Sequence, residues 1–264
     1  MKNITALLIL LCFAFAACNN KTADNTDAPP ANDTVKAMQD NIAKYPDSLL
    51  LVETLIQYYR DKGNFDMAIS EANNVIRRDS SNTRFWDIKA ILHAENGDTA
   101  AAIKSYEILV NMVPDAAYVM SLGALYAQTK NPQALALADA LIAGRKAHAE
   151  KEANFIKGLY YSYSGDKQKA ISFFDKCLAL DYTFMFAYRE KAIALYDMGK
   201  YEDAFNVMNK AITLQNNFDE GYYWMGRCLE KMNRKEEAIE SYKVALKYDP
   251  DYVEAREALK QLSP

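Results

Sequence analysis

The sequence predicts an all-α fold built from stacked helix–turn–helix units. Three observations carry that reading. In the C-terminal half, small residues recur every 34 positions: Gly158, Ala192 and Gly226; Ala170, Ala204 and Ala238; Cys177, Ala211 and Ala245. Each unit holds two amphipathic stretches with helical spacing, separated by a breaker at Gly165, Gly199 or Asn233. Nine Gly and seven Pro in 264 residues are about half the usual share. That is too few for an all-β chain, which turns every ~8–12 residues.

The chain opens on Met1-Lys2-Asn3 and an apolar run from Ile4 to Ala17. The run is too short to span a bilayer and has the form of a secretory signal peptide, residues 1–17. It ends in Phe15-Ala16-Ala17-Cys18. Two small residues before a cysteine resemble the lipobox of bacterial lipoproteins, although Phe15 stands where Leu or Val is usual. The resemblance implies that Cys18 becomes the N-terminus and carries acyl chains such as palmitate. The alternative is plain cleavage after Ala17, which leaves Cys18 a free thiol. Residues 19–32, NNKTADNTDAPPAN, lack any bulky apolar side chain and read with Cys18 as a flexible tether of about 20 Å reach. No basic patch reinforces the anchor, so the lipid alone would hold the protein to a membrane.

The repeating part follows. Residues 33–46 form an amphipathic half-unit placed like a lone second helix, ending at Pro46. The units run 49–82, 83–115, 116–150, 151–184, 185–218 and 219–252, and residues 253–262, VEAREALKQL, form a charged amphipathic cap. The first unit shows Val52, Tyr59, Gly63, Ala68 and Val75; the second shows Trp86, Ala90, His93, Gly97, Ala102, Tyr106, Leu109 and Pro114. The third is irregular: Leu122-Gly123 and Tyr126 keep the frame, Ala134 comes one residue early, and the stretch from Gly144 to Glu150 adds residues. The sixth shows Tyr222, Met225-Gly226, Leu229, Ala238, Tyr242, Ala245 and Pro250.

Spacing and residue types resemble the tetratricopeptide repeat, W-x2-L-G-x2-Y followed by A, F or Y, A and P. The resemblance implies a right-handed superhelix of about fourteen helices, six repeats with a cap at each end, and a concave groove lined by the first helix of every repeat. Small residues let the two helices of a unit approach closely, and large apolar residues fill the flanking grooves.

Little in the sequence supports chemistry. The formal charge of −4 and a pI near 5.4 give no footprint for nucleic acid. Four Cys and two His include no CxxC or HExxH arrangement, so neither metal nor cofactor is expected. Cys12 leaves with the signal; Cys177 occupies a small buried position and Cys228 a semi-buried one two units on, too distant to pair. His93 reads as a packed core side chain, and His148 has no companion at ligand spacing. GxSxG, P-loop and GxGxxG motifs are absent. The expectation is a protein without enzymatic activity.

What remains is the free face of the first helices. It reads Leu50, Glu53, Gln57 and Arg60, then Arg84, Asp87, Ile91 and Ala94, then Ala117, Met120, Ala124 and Ala127. The later units give Phe155, Leu159, Ser162 and Tyr163, then Phe186, Arg189, Ile193 and Tyr196, then Glu220, Tyr223, Arg227 and Glu230. The centre is apolar and aromatic, a composition that marks interaction sites. Met120, Phe155, Leu159, Tyr163, Phe186, Arg189, Ile193, Tyr196, Tyr223 and Arg227 are the expected groove residues for a helix or extended peptide. Against this stands the possibility that curvature hides these rings. The expected role is a scaffold or adaptor for a cell-envelope complex, lipid-anchored in the outer membrane of a diderm bacterium and facing the periplasm. The alternative is capture of a small-molecule, glycan or peptide ligand.

Overall fold

The computed structural model describes residues 31–144 and 149–262. Among these are fourteen α-helices and no strand: α1 (Ala31–Lys44), α2 (Leu49–Asp61), α3 (Phe65–Arg78), α4 (Thr83–Glu95), α5 (Thr99–Met112), α6 (Ala116–Gln128), α7 (Gln133–Ala143), α8 (Glu150–Ser164), α9 (Lys167–Leu180), α10 (Met185–Asp197), α11 (Tyr201–Leu214), α12 (Asp219–Lys231), α13 (Lys235–Tyr248) and α14 (Val253–Leu262). Even-numbered helices α2 to α12 are the first (A) helices of six repeats, and α3 to α13 are the second (B) helices. By register, α1 is a lone B helix and α14 a lone A helix. The signal segment, Cys12, Cys18, the tether up to residue 30 and His148 lie outside the described residues.

Turn chemistry repeats with the frame. The A-to-B turn uses a left-handed residue: Gly63 at φ 70°, Gly97 at 79°, Gly165 at 96°, Gly199 at 75° and Asn233 at 59°. In the third repeat it is Lys130 at φ 56°, one residue before the 34-residue frame, and Ala134 follows it after four residues where the other repeats use five. Side-chain oxygens of Asp98 and Asp166 then cap the B helices, accepting from Ala101 N at 3.0 Å and Lys169 N at 3.1 Å. Five of the six B helices, all but α7, end on an extended residue, and three of these residues are aspartates that turn the chain. Asp79, Asp181 and Asp249 accept from the backbone N–H two residues on, at 3.0, 3.0 and 2.9 Å.

The packing divides into two compact units inside α6, between Leu122 and Gly123. The division falls within the irregular third repeat. In the first unit, Val52, Leu55, Ile56, Ala68, Ala72, Phe85 and Leu92 form one buried cluster. In the second, Tyr188, Ala192, Leu195, Ala204, Met208, Ala211 and Cys228 form another, and Tyr223, Leu229, Ala238, Tyr242, Ala245 and Ala255 a third.

Five of the six repeats, all but the third, place their A and B helices against each other through a small residue facing a large one. A Cβ on Gly158 would come within 2.4 Å of Phe174 Cε1, and one on Gly226 within 2.6 Å of Tyr242 Cε1. The fifth repeat puts Ala192 and Met208 at the same two places, the second Ala90 and Tyr106, and the first reverses the sizes with Ile56 and Ala72. All eight of these last side chains and rings, Phe174 and Tyr242 included, are buried. Alanine is the better helix former by roughly 0.5–1 kcal/mol, but overpacking here outweighs it. Gly158→Ala is expected to lose about 1–2 kcal/mol net in urea unfolding. The double variant Gly158→Ala/Phe174→Leu should be less destabilised than the two single effects added, because the smaller side chain makes room for the methyl group.

Candidate functional site

In the second unit, α8, α10 and α12 lie side by side, with B helices packed behind them. The expected groove residues fall into two groups on this face. Phe155 and Leu159 are fully buried, and Tyr223 and Arg189 nearly so. These four belong to the interior, which corrects their reading as a free surface. Phe155 packs with ring centroids 5.9 Å from Phe174 and 5.1 Å from Phe184. Tyr223 sits 5.8 Å from Tyr242 and 5.0 Å from Tyr252. Helical spacing assigns the correct face to both, but the aromatic residue that closes the repeat folds over them. Phe184 and Tyr252 occupy that closing place, as does Phe218, each 34 residues from the next. That periodic aromatic was the signal in the sequence for this cover.

Arg189 is buried as an ion. Its Nε donates to Glu190 Oε1 at 3.1 Å, and Nη1 donates to both oxygens of Glu220 at 2.8 and 2.9 Å. Burial pushes the Glu190 carboxyl up from its ordinary range, and the Arg189 charge opposes the shift. Burial, with the Glu190 charge nearby, pushes the Tyr163 phenol up to about 12. Lys167 donates to Ser162 Oγ at 3.2 Å and pairs with Asp197 at 2.6 Å.

Tyr163, Phe186, Ile193, Tyr196 and Arg227 are half-buried and form the accessible part of the face. Arg227 donates from Nη1 to Tyr223 Oη at 2.8 Å and from Nη2 to Tyr196 Oη at 3.4 Å. Trp224, absent from the sequence-based site, stands edge-on to Tyr196 at 5.6 Å and lies under the same guanidinium. Met120 is half-buried on α6 in the first unit. The equivalent face of the first unit is charged: Arg84 pairs with Glu53 and Arg60 with Glu95 across neighbouring repeats. Asp87 accepts the Tyr106 hydroxyl at 3.1 Å; burial raises its carboxyl and this hydrogen bond lowers it.

Other candidate chemistry is structural in character. Cys177 and Cys228 are both fully buried and unpaired, so Cys228 is deeper than its sequence position suggests. Burial pushes each thiol up to about 12, far from the reactive thiolate. His93 is half-buried with Nδ1 3.8 Å from Asp98 Oδ2; burial lowers its pKa and the aspartate opposes that. Among the described residues, no group of three or more His, Cys, Asp or Glu could hold a metal ion, and no helix is long and apolar enough to cross a membrane.

Tetratricopeptide-repeat family models match residues 54–117, 151–184 and 195–262. The chain is a tetratricopeptide-repeat protein. A solved tetratricopeptide repeat protein from Parabacteroides merdae ATCC 43184 superimposes with TM-score 0.67 at 19% identity, over 88% of this chain and 91% of that one. PilW, a widely conserved type IV pilus biogenesis factor, superimposes with TM-score 0.55 at 18% identity, over 79% of this chain and 97% of its own. Both likenesses show the fold. The Protein STIP1 homolog of Dictyostelium discoideum is 33% identical over 96 residues, which is 36% of this chain and 17% of that protein.

Burial separates core from surface by a measurable margin. Phe155→Ala should cost about 3–5 kcal/mol of unfolding free energy. Ile193→Ala, at a half-exposed site, should cost no more than about 1 kcal/mol. Thermal and urea unfolding of the two variants checks the assignment.

Proposed function

We propose that the protein is a non-enzymatic scaffold or adaptor that binds a protein partner on the face of α8, α10 and α12. Tetratricopeptide-repeat proteins are protein-interaction scaffolds, and one observation on this chain carries the reading to that face. Phe186, Ile193 and Tyr196 on α10 stand half-buried beside Arg227 on α12, an apolar and aromatic strip with one cation. Aromatic and Arg side chains are the residue types that dominate binding energy at interfaces, each contributing up to about 2 kcal/mol or more. A helix or an extended segment laid across neighbouring A helices would cover that strip.

The lipobox-like Phe15-Ala16-Ala17-Cys18 and the tether after it extend the proposal to the membrane. The protein would be exported and lipid-anchored at the outer membrane of a diderm bacterium, facing the periplasm and serving a cell-envelope complex.

Affinity capture from detergent-solubilised membranes with mass spectrometry tests the partner. The expected result is a protein retained in stoichiometric amount by the wild type and lost with Phe186→Ala/Ile193→Ala, at nearly unchanged melting temperature. Retention by both proteins would place binding on another surface. The anchor has its own test: Cys18→Ser should stop incorporation of labelled palmitate and release the protein from the membrane fraction. Identical fractionation of both proteins, with neither labelled, would reject the lipid anchor.

A further inference from the structure

Charged groups on the face of α8, α10 and α12 are unequally matched. Arg189 is held by Glu190 and forked by Glu220, and Lys167 pairs with Asp197 at 2.6 Å. Glu230 accepts the Tyr242 hydroxyl. Arg227 differs from all of these. Its two hydrogen bonds go to phenols, which carry no formal charge, and the carboxylate oxygen nearest its Nε is that of Glu230 at 4.0 Å. The rings of Tyr196, Tyr223 and Trp224 surround the guanidinium, with centroids 5.7, 5.8 and 6.0 Å away.

The consequence is a cation that is fixed in place and whose ion pair, with Glu230, is a long one at 4.0 Å. Two phenols use two of the five N–H donors of an arginine. The side chain is 35% exposed, so part of it stays open to a ligand. A carboxylate would pair with the fork through two charge-assisted hydrogen bonds, the strongest class of polar contact at an interface. The rings already hold the rotamer, so little side-chain entropy is lost on binding. The acids on this face offer less to a cationic ligand, because Glu190 and Glu220 are engaged by Arg189 and Glu230 by a hydroxyl.

We infer that Arg227 receives a carboxylate from the partner, supplied by an Asp or Glu side chain inside a segment whose apolar residues lie against Phe186 and Ile193. This rests on the partner-binding role proposed for the same face. An internal side chain fits better than a chain end, because half-buried surface continues on both sides of Arg227. Ile193 and Phe186 lie on α10, and Tyr252 lies beyond Tyr223.

The test pans phage-displayed random 12-residue peptides, fused so that they have no free C-terminus, against the full chain in detergent. Enriched sequences are then synthesised with the acidic residue kept or changed to its amide, and with free or amidated C-termini. Fluorescence polarisation compares wild type, Arg227→Gln, Arg227→Lys and Ile193→Asp. The expected result is an acidic residue in the enriched peptides and about tenfold or greater weakening by Arg227→Gln. Arg227→Lys should lose part of the affinity, since it keeps the charge and loses the fork. The amide peptide should lose affinity for the wild type and little more for Arg227→Gln, and near-native melting of both variants excludes misfolding. Binding abolished by Ile193→Asp but untouched by Arg227→Gln would overturn the carboxylate inference and leave the face standing. Binding untouched by both variants would reject the face itself. Loss of binding on amidating the C-terminus would overturn the side-chain assignment.

Discussion

The close approach of the two helices within each repeat is the constraint on which the rest depends. At their crossing one side must be small: Gly158 under Phe174, Gly226 under Tyr242. The size can sit on either helix, since the first repeat carries Ile56 on α2 and Ala72 on α3. Summed volume at the crossing is what packing conserves, because interiors are filled to crystal-like density. Once that distance is set, the following A helix meets a fixed surface, and the half-buried strip on α10 and α12 follows from where the crossings put those helices. The scaffold sets the spacing, and individual side chains then decide what it can hold.

Much of this was legible in the sequence for a physical reason. The 34-residue period follows from small residues at crossings and left-handed residues at turns, both of which restrict residue type strongly. The irregular third repeat departs from the period in two places: Lys130 takes the left-handed turn one residue before the place Gly97 or Gly165 would predict, and Ala134 follows after four residues instead of five. The burial of Phe155, Leu159, Arg189 and Tyr223 was not legible from helical spacing. Spacing gives the direction in which a side chain leaves its helix, not what arrives from elsewhere to cover it. Phe184 and Tyr252 come from the turns between repeats, and Glu220 from the next A helix. Their effect depends on tertiary placement. The site therefore contracts from a continuous aromatic groove to a narrower strip, with Trp224 as a new member.

The two units differ in how their A-helix faces are finished. In the first, Glu53 with Arg84 and the part-buried Arg60 with Glu95 close charge on charge between neighbouring repeats. In the second, Arg189 is almost wholly withdrawn from water between two carboxylates, where losing either partner would leave a buried ion less well compensated. Apolar side chains and a half-exposed guanidinium are left at the surface there, so the unit with the costlier interior polar group also has the surface better suited to recognition.

The Arg189–Glu220 fork also bears on how such an array could change over generations. The two residues belong to successive repeats, as do Arg60 and Glu95, so these two boundaries are closed by different charge pairs. Unequal crossing-over that duplicated residues 185–218 would set a second Phe186 opposite Arg189, in the place of Glu220. A buried guanidinium facing a phenyl ring keeps only Glu190 as counterion. Arrays of near-identical units can grow and shrink by copying whole modules. This one carries different charge pairs at its first and fifth joints, so copying its fifth repeat would cost the new joint a counterion.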